Sequence, residues 1–115
     1  MITLFGIKNC DTVKKARSWL EEHDIEYTYH DIRLDGLKLP QVQEWINELG
    51  WEQIVNKRST TWKQLNDTQR NNINNTSAPS IIIANPTLVR RPVLDTGTTR
   101  HTGFKADYYA EIFGK

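Results

Sequence analysis

The sequence predicts an α/β domain in which a β-α-β opening and a β-β-α ending enclose a helical middle. Three observations predict it. Short β-branched runs close at turn residues near both ends of the chain, apolar residues recur at helical spacing between them, and no break in composition divides the 115 residues.

Ile2 to Phe5 is apolar or β-branched and stops at Gly6, which reads as a short buried strand. After Ile7-Lys8-Asn9, a helix is expected with Val13, Ala16 and Leu20 on one face and Trp19 at its edge; Asn9, Asp11 and Thr12 are its candidate caps. Glu26 to Ile32, with Tyr27, Tyr29 and Ile32, reads as a second strand ending at the Asp35-Gly36 turn. Pro40 suits the first turn of a helix, and Val42, Trp45, Ile46 and Leu49 follow at i, i+3, i+4 and i+7 before Gly50. Trp51 to Val55 and Trp62 to Ile73 read as shorter helices, the second starting near a Thr-Thr cap and dissolving among Asn71, Asn72, Asn74 and Asn75. Ser80 to Ala84 is open between strand and helix, because Ile81-Ile82-Ile83 favours a strand and the run is too short for a period. Leu88 to Leu94 and Thr99 to Phe104 read as a hairpin about Asp95-Thr96-Gly97, and Phe104, Tyr108 and Ile112 mark a C-terminal amphipathic helix.

Composition narrows the function classes. With 37% hydrophobic, 25% charged and 10% aromatic residues, the chain reads as one soluble globular domain. Fifteen Lys and Arg against fourteen Asp and Glu leave a formal charge of +1, which removes the field of a protein that tracks nucleic acid. No run approaches the ~20 apolar residues of a membrane span, and the first residues lack a signal peptide's organisation, so a cytoplasmic protein is expected. Size and balanced charge favour a monomer.

Cys10 follows a strand and loop and stands at the mouth of a helix, where free N–H groups, the helix dipole and a cation such as Lys8 favour a thiolate, against Asp11. It is the one cysteine, so any redox cycle must borrow a second thiol from glutathione or another protein. Arg58, Arg90, Arg91 and Arg100 lie outside the helical patterns, and their donor forks suit carboxylates and oxyanions. Arg91 precedes Pro92, and an X-Pro bond at a strand start is a candidate for the cis isomer. His23, His30 and His101 have no metal-ligand spacing, so no metal is expected. Trp19, Trp45, Trp51 and Trp62 read as core rather than as a base-stacking platform.

Leu4 to Ala16, then Asp35-Gly36-Leu37, Gly50-Trp51, Thr60-Thr61-Trp62 and Arg90-Arg91-Pro92, closely resemble the arsenate reductase-like (ArsC) family, nearest its small YffB-type branch. The resemblance spans essentially the whole chain and implies one domain over residues 1–115. Its fold would be thioredoxin-like: a four-stranded mixed sheet flanked by helices, with a helical insertion at about 38–84 between the β-α-β and β-β-α parts. It also implies a helix at Ala78 to Ala84, ended by Asn85-Pro86. Cys10 would be the catalytic nucleophile; Lys8, Asn9, Arg58, Arg91 and Arg100 would bind substrate or anion, beside a cis Pro92. Glutathione would be the co-substrate, with glutaredoxin completing an arsenate cycle. The family's arsenate reductases carry a His-Asn-Pro lead-in where this chain has Gly6-Ile7-Lys8-Asn9, so the branch points to a glutathione-dependent thiol reductase. The alternative is a non-catalytic module similar to the Spx regulators, which grip RNA polymerase and carry a Cys-x-x-Cys switch; Val13 stands where the second cysteine would be.

Overall fold

Strands β1 (Thr3–Gly6), β2 (Thr28–Asp31), β3 (Val93–Asp95) and β4 (Arg100–Thr102) form a mixed sheet in the order β2-β1-β3-β4. β1 runs parallel to β2 and antiparallel to β3, and β3 and β4 make the expected hairpin. These elements come from a computed structural model that describes the whole chain, Met1–Lys115. They belong to a unit formed by Met1–Asp31 and Arg91–Lys115; a second unit, Ile32–Arg90, is inserted between those segments in sequence.

In the first unit, side chains alternate across β1 as strand geometry requires. Leu4 packs with Ala16, Trp19 and Leu20 of α1 (Asp11–Glu22), with Leu94 of β3 and with Tyr109 of the C-terminal helix, while the Phe5 ring meets His30 at 4.7 Å. That last helix, Ala106–Phe113, turns Tyr109 inward and leaves Tyr108 42% exposed, which corrects the phase expected from Phe104, Tyr108 and Ile112. Phe104 precedes the helix, so counting in fours from it misses the buried face. Phe104 instead meets Tyr109 edge-on at 4.7 Å.

The inserted unit is helical: α2 (Ile32–Asp35), α3 (Leu39–Leu49), α4 (Trp51–Ile54), α5 (Thr60–Gln64), α6 (Asp67–Asn72) and α7 (Ala78–Ala84), then a 3-10 turn at Pro86–Leu88; the helix at Ala106–Phe113 is α8. Pro40 lies in the first turn of α3, whose buried Val42, Trp45 and Ile46 form the apolar stripe of a helix packed against α7. α7 covers the stretch with strand propensity, as the resemblance implies, burying Ala78, Pro79 and Ile82. The helix expected over Trp62 to Ile73 is two helices. Ser59 caps α5, and Asn66 with Gln69 forms a reciprocal capping box that starts α6, so the local hydrogen bonding of Asn66 overrides the longer period.

The insertion is wider than 38–84, because α2 and Val89 belong to it: Ile32 is fully buried, and Val89 pairs with Val55 in an isolated bridge. β3 is correspondingly shorter than Leu88 to Leu94, since Pro92 offers the ladder no N–H. Among the tryptophans, Trp19 and Trp45 are buried, whereas Trp51 and Trp62 are half-buried with the Lys57 ammonium 4.9 and 5.9 Å from their rings.

Candidate active site

Gly6 ends β1 and sets how closely α1 approaches it. A Cβ at Gly6 would lie 2.7 and 2.8 Å from the two methyl carbons of Val13, closer than real side chains tolerate. A side-chain-free residue there lets the first turn of α1 seat against the strand. Ile7 then buries itself and leaves Lys8 and Asn9 exposed. Cys10 is the N-cap of α1, with φ −110° and ψ 119°, displacing the three expected cap candidates; its side chain makes no capping hydrogen bond. Its carbonyl accepts the Lys14 N–H at 3.0 Å, so the backbone closes the first turn and leaves the half-buried thiol out of the helix's own bonding.

The sheet brings further residues to the same end. Gly6 pairs with Asp31 of β2, the one buried charged residue, and Phe5 pairs with Val93, which puts Pro92 beside the end of β1 that leads to Cys10. The Arg91–Pro92 bond is cis, and the Pro92 carbonyl accepts the Gly103 N–H at 2.9 Å. Lys8, Asn9, Cys10, half-buried Arg91 and buried Pro92 therefore share one end of the sheet.

Arg100 does not join them. It pairs in register with Asp95, which in turn pairs with Thr3 at the start of β1, and its Nε lies 3.4 Å from Asp95 Oδ2. Three strand residues, roughly 10 Å at ~3.3 Å each, separate the Thr3 rung from the Gly6 rung. Hairpin register thus assigns Arg100 to the far end, an outcome that residue type alone does not reveal. Arg58 belongs to the inserted unit, on a tightly held loop. Its N–H donates to Asn56 Oδ1 at 3.0 Å, the Ser59 hydroxyl accepts the Trp62 N–H at 3.0 Å, and its own side chain is exposed.

The structure also brings in residues that sequence reasoning used only as strand and helix markers. Arg17 donates from Nε to the Tyr27 hydroxyl at 3.0 Å, that hydroxyl donates to Glu21 at 2.9 Å, and the guanidinium carbon stands 4.0 Å from the centre of the Tyr29 ring. The Tyr29 hydroxyl is buried without a hydrogen-bond partner. Burial pushes Tyr29 above the usual phenol range, and negative charge on Asp31 and Cys10 acts in the same direction, opposed by Arg17. The alternation of Tyr27 and Tyr29 on one strand face was the available signal; their helical partner was not visible from it.

The histidines occupy separate settings: His23 stacks on Trp19 at 3.9 Å, His30 faces Phe5, and His101 lies between Thr99 and Tyr108. No helix is long and apolar enough to cross a membrane.

The profile of the ArsC family matches residues 5–112. An uncharacterized protein of Haemophilus influenzae is 45% identical over 98% of this chain and 99% of its own length. The global transcriptional regulator Spx of Staphylococcus aureus is 33% identical over 93% of this chain and 82% of its own. Among solved structures, a protein named YFFB superposes with a TM-score of 0.93 at 38% identity, covering 96% of this chain and 97% of that one. An arsenate reductase (ArsC) related protein from Brucella melitensis gives 0.76 at 40% identity, covering 99% and 95%. The sheet order and flanking helices are accordingly those of a thioredoxin-like fold.

Proposed function

The chain belongs to the ArsC family, and from that premise we propose that it is a glutathione-dependent thiol reductase whose nucleophile is Cys10. The observation that carries this reading is the placement of its one thiol. Cys10 is half-buried at the start of α1, is not used as a helix cap, and shares a sheet end with Arg91 and Pro92.

The chemistry needs only that thiol and a borrowed one. Cys10 thiolate attacks the glutathione sulfur of a mixed disulfide; the new S–S bond joins Cys10 to glutathione, and the substrate sulfur leaves as a thiolate that takes a proton. A second glutathione, as thiolate, attacks that bond, freeing Cys10 and producing oxidised glutathione. One substrate disulfide is reduced and two glutathione sulfurs end as one disulfide. Lys8, Asn9 and Arg91 bind the carboxylates or oxyanion oxygens of the substrate. Arg58 is included on the family resemblance; Arg100 is not, because it pairs with Asp95 at the other end of the sheet. Arsenate is the other electrophile in reach of this chemistry, with glutaredoxin completing that cycle.

The test is thiol transfer from glutathione to a small mixed disulfide. Cys10→Ser is expected to abolish it, and a variant that keeps the wild-type rate overturns the reading.

Similarity to Spx across most of the chain favours a second reading, a partner-binding module directed at RNA polymerase. Val13 is buried against Gly6, so this chain has no second thiol one helical turn from Cys10. Stable retention of RNA polymerase on the immobilised protein, together with inactivity in thiol transfer, is the result that selects this reading.

A further inference from the structure

The Gly6 end of the sheet holds a carboxylate that the thiol-transfer steps do not use. Asp31 is 8% exposed and is the one charged residue buried in the chain. Taking a carboxylate out of water is costly, so its place calls for a reason. Two observations put it under α1. Tyr29 and Asp31 are alternate residues of β2 and share a face of the sheet. The Arg17 guanidinium of α1 lies 4.0 Å from the centre of the Tyr29 ring, so that face is the one α1 covers. Independently, Asp31 pairs with Gly6, and Val13 of α1 stands within 2.8 Å of where a Gly6 Cβ would be. The two agree in level: Tyr29 to Asp31 advances roughly 6.6 Å along the strand, and Arg17 to Val13 roughly 6 Å along the helix. Asp31 therefore lies beneath the first turn of α1, the turn that Cys10 caps and that the Cys10 carbonyl closes on the Lys14 N–H.

The other charged groups near this turn differ from Asp31 in exposure. Lys8 in the loop and Asp11 and Lys14 on α1 are exposed, Arg91 before β3 is half-buried, and Arg17 is engaged with Tyr27 and Tyr29. β1 contributes no charge, and the Tyr29 phenol, raised by burial, is neutral outside the alkaline range. Water and salt screen the exposed groups. The Asp31 carboxylate acts from a buried position, where its field falls off less.

We propose that Asp31 is a positioning residue that acts through Cys10: its buried carboxylate, beneath the first turn of α1, holds the resting thiol protonated and makes the thiolate a stronger nucleophile once it forms. This rests on the reductase reading and deepens it by naming the residue that regulates the thiol. A like charge nearby disfavours the thiolate, so less of it is present at neutral pH. The thiolate of a less acidic thiol is also intrinsically more nucleophilic, so the two effects oppose each other.

That opposition gives the test its signature. The rate at which Cys10 reacts with dipyridyl disulfide is followed from mildly acidic to alkaline pH in wild type and in Asp31→Asn, which keeps the size and removes the charge. The variant is expected to lower the apparent pKa of the reaction by about one unit. With a Brønsted slope of about 0.4–0.5, it should react about threefold faster than wild type below both pKa values and about threefold slower on the alkaline plateau. A loosened first turn would move both limbs the same way, and that result, or coincident profiles, overturns the proposal. Where the unfolding curve shows that Asp31→Asn has lost its fold, wild type decides: the ¹³C carboxyl resonance of Asp31 should step at the pH where Cys10 ionises, and the step should vanish in Cys10→Ser. A resonance with no Cys10-dependent step overturns the proposal. The thiol-transfer rate of wild type against Cys10→Ser decides the reductase separately, so the two can fail apart.

Discussion

The two ends of the sheet contain similar residue types and use them in opposite ways. At the Thr3 end, polar groups pair with one another across the ladder and within the turn. Arg100 faces Asp95 across the ladder, the Gly97 N–H donates to Asp95 at 2.8 Å, and the Thr96 hydroxyl accepts the Thr99 N–H at 3.0 Å. At the Gly6 end, a thiol stands clear of the helix cap it occupies, and an arginine introduces a cis proline. A closed hydrogen-bonded turn holds a fold together; a thiol left out of its helix's own bonding is one that a substrate can engage. Position along the strand, rather than residue type, separates structural from functional arginines here.

The hardest way to break this contrast is to fill the space at Gly6. Gly6→Ala must push Val13 away by several tenths of an ångström, and Val13 is in the first turn that Cys10 caps. A loss of about 1–3 kcal/mol in denaturant unfolding is expected from overpacking. The Cys10 alkylation rate of the folded protein should change with it, because strand and helix can no longer close on each other. Gly6→Ala with wild-type stability and alkylation would mean that the glycine merely ends the strand.

Arginines at the two ends give the next largest effect. Arg91→Gln is expected to raise the KM for glutathione about tenfold, the scale of one charge-assisted contact, with kcat affected less. Unfolding and Cys10 alkylation controls show whether the variant has kept its fold. A KM within twofold of wild type would remove Arg91 from the anion site.

Much of this arrangement was legible in the sequence, to differing depths. Strand β1 and helices α1 and α3 follow from local patterning of their buried faces, and the hairpin from its Asp95-Thr96-Gly97 turn. α7 was legible only through family resemblance, since Ile81-Ile82-Ile83 has strand propensity and the helix is chosen by packing against α3. The split after Leu65 depends on one side-chain cap at Asn66, and the inward turn of Tyr109 depends on where α8 begins. For the site, the Cys10 loop and Arg91-Pro92 stand out as motifs. The place of Arg100 was not legible because register is a property of the paired strands, and the Arg17–Tyr29 stack joins elements whose facing cannot be counted from either alone.

Between the two ends, Tyr109 offers a milder test of what an unpartnered polar group does when no ligand can use it. Its hydroxyl is buried without a hydrogen bond inside the cluster of Leu4, Trp19 and Leu94. Tyr109→Phe should leave stability unchanged or raise it by about 1 kcal/mol, because a desolvated hydroxyl is removed and the ring contacts with Phe104 and Trp19 stay. Burial holds its phenol above the ordinary range. The unfolded chain therefore loses this proton near the usual ~10 while the folded chain keeps it, and stability falls as pH rises beyond that point. Tyr109→Phe should reduce this alkaline loss, leaving a remainder from Tyr27 and Tyr29, which burial also raises. An unchanged alkaline slope would show that the hydroxyl finds a partner in solution.

The smallest effect is expected at the Arg100–Asp95 ion pair. Arg100→Gln removes one cross-strand ion pair whose side chains are 22% and 20% exposed, and pairs of this kind are worth about 0.2–1 kcal/mol. Unfolding should register a loss within that range, further reduced at high salt. Thiol transfer and the KM for glutathione should stay at wild-type values, since the ladder holds Arg100 on the Thr3 rung, away from the thiol. Asp95→Asn should act alike on the ion pair, and the double variant should lose less than the sum of the two, as expected for residues that mainly contact each other. A tenfold rise in KM for Arg100→Gln with Asp95→Asn silent would mean that Arg100 leaves its strand partner to reach the substrate, and the division of labour between the two ends would fail.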